Sequence, residues 1–147
     1  MIASTTQINR VGADLPAMDA VHSCTDVTGF GLLGHALEMA QGADLQMTLR
    51  LADVPVLDGA RALAEAGFGT GASGRNWESY AGDVTLPAGL PDWHRGLLCD
   101  PQTSGGLLIA VAPEGADALV EHIRKAGFSQ VAAIGTLETG PPKIAVI

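Results

Sequence analysis

Thr25-Asp26-Val27-Thr28-Gly29-Phe30-Gly31-Leu32-Leu33-Gly34-His35 decides how this chain is read, because the side-chain period changes inside it. Ahead of it, Val21-His22-Ser23-Cys24 reads as a short strand that runs into Asp26. From Gly29 onward, Phe30, Leu33, Leu37 and Ala40 fall at helical spacing, and Gly42 offers a C-terminal stop. The stretch therefore predicts a strand, a glycine-rich turn and a helix. The free N–H groups of a first helical turn favour an anion, and Gly29 and Gly31 let backbone approach a ligand closely. Asp26 beside that turn is a candidate ligand for Mg²⁺, a hard cation that takes oxygen ligands and keeps several waters. One carboxylate does not hold Mg²⁺ alone, so partner ligands must come from elsewhere. The plainer alternative is that Asp26 only helps to cap the helix, with Thr28 as its N-cap.

A second segment of the same kind is Leu98-Cys99-Asp100-Pro101-Gln102-Thr103-Ser104-Gly105-Gly106-Leu107-Leu108. Asp100-Pro101 starts a turn. Thr103, Ser104, Gly105 and Gly106 then offer hydroxyl and backbone donors to phosphate just before an apolar run. The alternative is a tight turn whose glycines serve strand packing. Neither segment is a Walker A loop, since no Gly-Lys-Ser/Thr follows. Two such segments in one chain point to nucleotide or phosphoryl chemistry more strongly than either alone.

Working outward, Ile8-Asn9-Arg10 reads as the end of a helix that began before Met1, and Asp14, Pro16 and Asp19 as a turn. Leu45, Met47 and Leu49 alternate with polar residues, which predicts a half-buried strand. Asp58 is the expected cap of a helix carrying Ala60, Leu63 and Ala64, ended by Gly67. Gly69 to Gly89 is rich in glycine and polar residues and predicts a long excursion, in which Arg75 is a candidate grip for a phosphate or carboxylate. A short helix follows from Pro91 to near Leu98. Leu107 to Val111 predicts a central strand, Glu114 to Ala126 an amphipathic helix stopped by Gly127, and Val131–Ile134 and Ile144–Ile147 further strands. Together these predict an α+β fold, with helices packed on one mixed β-sheet, in a single domain over residues 1–147.

Composition narrows the function. Net charge is −8, so nonspecific nucleic-acid binding is not expected, and an acidic protein that handles ATP needs a divalent cation to bring the phosphates in. No apolar run approaches the ~20 residues of a membrane span, and Met1 to Gln7 lacks the pattern of a signal peptide. The two cysteines, Cys24 and Cys99, have no CxxC partner, which predicts reduced thiols in a cytoplasmic protein. Cys24 is expected to be a small buried residue, and His35 a packed helix residue. Charged residues are 16% of the chain against the usual ~25%, so a bare face meeting another domain or subunit is expected.

The segments Thr25–His35, Gly74-Arg75-Asn76-Trp77-Glu78-Ser79-Tyr80 and Leu98–Leu108 stand in the same order in the selenophosphate synthetase (selenide, water dikinase) family, which this chain resembles over nearly its whole length. Thr6-Gln7-Ile8-Asn9-Arg10 is similar to the helix ahead of that family's second domain. The Asp-Val-Thr-Gly turn alone would indicate only the wider aminoimidazole ribonucleotide synthetase superfamily. The Cys-Asp-Pro-Gln-Thr-Ser-Gly-Gly run narrows the resemblance to the one enzyme.

The resemblance implies the C-terminal α+β domain of that enzyme, a mixed sheet with helices and partly ferredoxin-like topology. It implies a reaction in which ATP, selenide and water give selenophosphate, AMP and phosphate. It implies that Asp26 is the one Mg²⁺ ligand this domain gives to the ATP site. Thr28, Gly29, Gly31, Thr103, Ser104, Gly105 and Gly106 are the candidate phosphate-side residues. The family's N-terminal domain, with its reactive Cys or selenocysteine and most of the metal-binding aspartates, has no counterpart in this sequence, so Cys24 does not inherit that role. The expected partners are that N-terminal domain, ATP, selenide and a second copy in a homodimer. The isolated chain is expected to fold, to be inactive and to risk self-association. The alternatives are a non-catalytic scaffold that supports the dimer, or a domain of another ATP-using enzyme of the same superfamily.

Overall fold

The computed structural model describes residues 5–147, so the expected helix start ahead of Met1 lies outside the described residues. The elements run β1 (Val21–Asp26), α1 (Gly31–Ala43), β2 (Gln46–Leu49), α2 (Ala60–Glu65), α3 (Gly71–Tyr80), β3 (Val84–Thr85), α4 (Asp92–Leu98), β4 (Leu107–Val111), α5 (Ala116–Lys125), β5 (Gly135–Glu138) and β6 (Ile144–Val146). This is the expected α+β mixture of helices and strands, but the strands form two sheets rather than one. β1 and β4 make an antiparallel pair, and β3-β6-β2-β5 make a mixed four-stranded sheet. In the latter, β2 runs antiparallel to β5 and parallel to β6. Leu107–Val111 is therefore not a central strand, because β1 is its one ladder partner among the described residues.

α1 carries the main core. Leu32, Leu33, Ala36, Leu37 and Ala40 are all buried, as are Gly31, Gly34 and His35, so its first turns are enclosed nearly all round. Leu33 packs in one cluster with Leu49, Ile144, Val146, Leu98 and Cys99. Burying a leucine of this kind stabilises by roughly 1.5–3 kcal/mol. A second cluster joins Val11, Leu15, Leu119 and Ile123, with the apolar face of α5 against β4. Leu119 and Ile123 are the inward residues that the amphipathic pattern predicts, and Gly127 at φ 101° follows the helix end as expected.

Several local expectations are corrected. α1 passes through Gly42 and stops at Asp44, which takes a left-handed φ of 54° and donates its N–H to the Ala40 and Gln41 carbonyls. Aspartate tolerates that conformation better than most residues. Phe30 lies ahead of the helix and is 51% exposed rather than on the apolar stripe. Asp58 does not cap α2, since Gly59 at φ 81° holds the N-cap position with no side-chain bond. Val131–Ile134 is irregular, and strand pairing starts at Gly135, whose missing Cβ would stand 2.3 Å from the Thr48 carbonyl oxygen. The expected excursion from Gly69 to Gly89 contains α3, capped by the Thr70 hydroxyl accepting from the Ser73 N–H, and the short strand β3.

Candidate functional site

Three segments distant in sequence interlock at one end of the β1–β4 pair. The ladder sets Asp26 opposite Leu107 and continues beyond the strands, with the Val27 N–H donating to the Gly106 carbonyl at 2.9 Å and the Gln102 N–H to the Thr28 carbonyl at 3.0 Å. The two glycine-rich stretches are thus one assembly. α3 braces it from the side. The Asn76 amide donates to the Gly29 carbonyl at 2.8 Å and to the Cys99 carbonyl at 2.9 Å. The Tyr80 hydroxyl donates to the Phe30 carbonyl at 3.0 Å. Asp100 accepts from the Ser73 hydroxyl at 2.8 Å and the Thr70 hydroxyl at 3.0 Å. The Asn9 amide reaches the Gly105 carbonyl at 2.9 Å, tying the N-terminal segment to the same loop.

The glycines divide into two kinds. Gly31, at φ 69°, has the Cys99 backbone against it, and a Cβ there would stand 2.5 Å from the Cys99 carbonyl carbon. A Cβ on Gly105 would stand 1.8 Å from the Val27 carbonyl oxygen. Both are required for the two loops to touch each other. Gly29 and Gly106 have open space where a Cβ would go. Spacing alone does not separate the kinds, since each glycine sits in a similar local pattern.

Asp26 ends β1 with its side chain exposed. It does not cap α1, whose N-cap is Phe30 with no side-chain bond. Nor is Thr28 the N-cap: its hydroxyl is hydrogen-bonded to His35 Nε2 at 3.1 Å, and its carbonyl accepts the Gly31 N–H at 3.2 Å. Thr103 and Ser104 are exposed on the facing loop. Among the described residues no group of three or more His, Cys, Asp or Glu side chains stands together. A hard-oxygen cation therefore finds at Asp26 no ready-made cluster of such side chains, and its set needs further ligands.

Cys24 is exposed and Cys99 buried, which corrects the expectation for Cys24, and neither is in a disulfide. Desolvation of the sulfur, then the Asp26 carboxylate, hold the Cys24 thiol above its ordinary value, the opposite of a thiolate nucleophile. Burial likewise raises Cys99, partly offset by the Tyr80 hydroxyl and Arg95. Arg75 is exposed on α3. Asn76, marked in the sequence only as part of a longer segment, and Ser73, not singled out there at all, hold the loops together from α3. Their signal was obscured because Gly-Ala-Ser-Gly-Arg-Asn has poor helix propensity by itself.

Residues 3–147 match the family described as AIR synthase related protein, C-terminal domain. The chain is 60% identical over its whole length to a selenide, water dikinase of Rhizobium meliloti (strain 1021), and 50% identical to one of Paraburkholderia xenovorans (strain LB400). It spans 42% of the length of each of these relatives. Among solved structures, the hydrogenase maturation protein HypE in complex with ATP superposes with a TM-score of 0.63 at 17% identity, over 97% of this chain and 37% of that one. That likeness concerns the fold.

Proposed function

Since the chain belongs to the family of AIR synthase related protein C-terminal domains, we propose that it is the C-terminal part of a selenide, water dikinase, which makes selenophosphate, AMP and phosphate from ATP, selenide and water. The observation that carries the reading is the interlock of the two glycine-rich loops, which leaves the Asp26 carboxylate exposed beside Thr28, Gly29 and Gly106. Phosphoryl transfer asks a protein chiefly for positioning and charge neutralisation. Asp26 would give one oxygen ligand to Mg²⁺, and the cation would neutralise the triphosphate against a chain of net charge −8. Thr28, Gly29 and Gly31 would line the phosphate end of the cleft from one side, and Thr103, Ser104, Gly105 and Gly106 from the other. Gly31 and Gly105 contribute by holding the loops together.

On this reading residues 1–147 form one domain, and an N-terminal domain supplies the remaining metal ligands and the nucleophile. The length of the relatives beyond the matched part supports such a partner. So does the exposure of Phe30 next to the site, an apolar ring that a covering domain would bury. No helix among the described residues is long and apolar enough to cross a membrane. The two free thiols fit a cytoplasmic enzyme, and we place it there as a homodimer.

The test is selenide-dependent AMP formation by the enzyme that contains this chain, with and without Asp26→Asn. Asp26 is exposed, so the variant should melt at the parent temperature while turnover is lost. Unaltered turnover would reject the ligand role. ATP consumption indifferent to selenide would favour another enzyme of the superfamily. Calorimetric titration of the 147-residue chain with Mg-ATP should show no detectable binding, because one carboxylate does not make a nucleotide site.

A further inference from the structure

Thr28, His35 and Glu38 form a continuous hydrogen-bonded chain at the start of α1. His35 is buried, with Nδ1 2.9 Å from Glu38 Oε2 and Nε2 3.1 Å from Thr28 Oγ1. The Phe30 ring leans on the imidazole, with centroids 5.8 Å apart, and closes it from one side. An ionised carboxylate only accepts hydrogen bonds, so the atom facing Glu38 is an N–H. A neutral imidazole carries one proton, and Glu38 thereby assigns it to Nδ1, leaving a lone pair on Nε2. The Thr28 hydroxyl must then donate to Nε2. A threonine hydroxyl has one proton, and once it is directed inward the oxygen offers only lone pairs to the outside.

We propose that His35 and Glu38 are positioning residues that fix Thr28 Oγ1 as an acceptor, which makes it a contact for the divalent cation or its bound waters rather than for a phosphate oxygen. The chemistry decides between these two: a phosphate oxygen needs a donor, which Thr28 no longer has, whereas a cation and the hydrogens of its waters need an acceptor. Asp26, two residues away at the end of β1, is an exposed carboxylate. The inference rests on the function proposed above and refines the part of Thr28 in it. Glu38 is well exposed, so its removal disturbs the relay without opening the core.

Two measurements test it. The first is ¹⁵N-edited NMR of the histidine rings in the 147-residue chain at mildly alkaline pH. His35 should show a protonated Nδ1 and a bare Nε2, the less common tautomer of free histidine in water, and Glu38→Ala, which leaves no acceptor for Nδ1, should erase that preference. A His35 ring with its proton on Nε2 would overturn the proposal without touching the function. The second uses the enzyme that contains this chain. Glu38→Ala and Thr28→Val should each raise the Mg²⁺ concentration for half-maximal activity about tenfold, as loss of a supporting contact around a metal commonly does. The KM for selenide should stay put, and Thr28→Ser should restore the Mg²⁺ response. An unchanged Mg²⁺ requirement in Glu38→Ala would overturn the relay while leaving the function standing. A parent enzyme that makes no selenophosphate would reject the function, and with it the assignment to a cation, while the tautomer result would stand by itself.

Discussion

Replacing Asn76 by alanine removes one side-chain amide that bonds two carbonyls belonging to different segments, Gly29 at 2.8 Å and Cys99 at 2.9 Å. The two losses are unequal. The Gly29 carbonyl lies in an exposed setting where water can replace the donor, so its net cost is about 0.5–1 kcal/mol. The Cys99 carbonyl is partly buried and belongs to a fully buried residue, so an unsatisfied acceptor there costs about 1–3 kcal/mol. Together these give about 1.5–4 kcal/mol. For a domain of this size 1 kcal/mol moves Tm by roughly 2–4 °C, so the expected fall is about 3–16 °C. Differential scanning calorimetry of the 147-residue chain reads this directly, and urea unfolding should show a lower midpoint with an unchanged slope. Asn76→Asp sharpens the test. It keeps the shape but turns a donor into a carboxylate aimed at two carbonyl oxygens, and it should fall further than alanine. A Tm for Asn76→Ala within about 1 °C of the parent would refute the argument that α3 holds the two loops together, given that scale.

Gly31→Ala and Gly105→Ala should destabilise by about 3 kcal/mol or more, since each new Cβ meets backbone and Gly31 also has a positive φ; Gly29→Ala and Gly106→Ala should leave Tm near the parent value and show any effect in the activity of the containing enzyme. Asp26→Asn should speed alkylation of Cys24 at mildly alkaline pH, because removing the neighbouring negative charge lowers a thiol pKa that Asp26 helps to raise, and an unchanged or slower rate would contradict that coupling. Burial raises both Cys99 and Tyr80 above their unfolded values of 9.0 and 10.0, so the unfolded chain releases those protons first. Stability should be fully present below pH 9.0 and fall as pH rises beyond it, and Cys99→Ala, though less stable at neutral pH, should fall less steeply above it.

The parts of this fold that were legible in the sequence are those whose local pattern and tertiary fate agree. α1 from Leu33 onward, the alternation around Met47 and Leu49, and the apolar face of α5 each bury the side that their period marks. α3 was illegible because its stability is tertiary: Ser73, Asn76 and Tyr80 bond to Asp100, Gly29, Cys99 and Phe30, none of them neighbours in sequence. The division into two sheets was hidden for a similar reason, since an apolar run such as Leu107–Val111 reads alike in a central strand and in a two-stranded pair covered by a helix. Of the candidate site, the two glycine-rich segments could be read as separate signals, but not that they hydrogen-bond to each other. The sorting of glycines into those that touch backbone and those that face open space, and the inward turn of the Thr28 hydroxyl, depend on atoms that only the fold brings near.

The register that sets Asp26 opposite Leu107 also governs when the site can exist. Everything between those residues, including α1 and α3, must leave the ribosome before the second half of the ladder is available. Closing so long a loop is slow compared with forming a local helix, and its entropy must be met before any contact rewards it. A nascent chain that ends short of Leu107 can carry an intact Asp-Val-Thr-Gly sequence with no fixed turn around it. The acidic group that would meet the metal is therefore given its setting only once Leu107 has been made, so a nascent chain ending short of it would not present a half-formed nucleotide site.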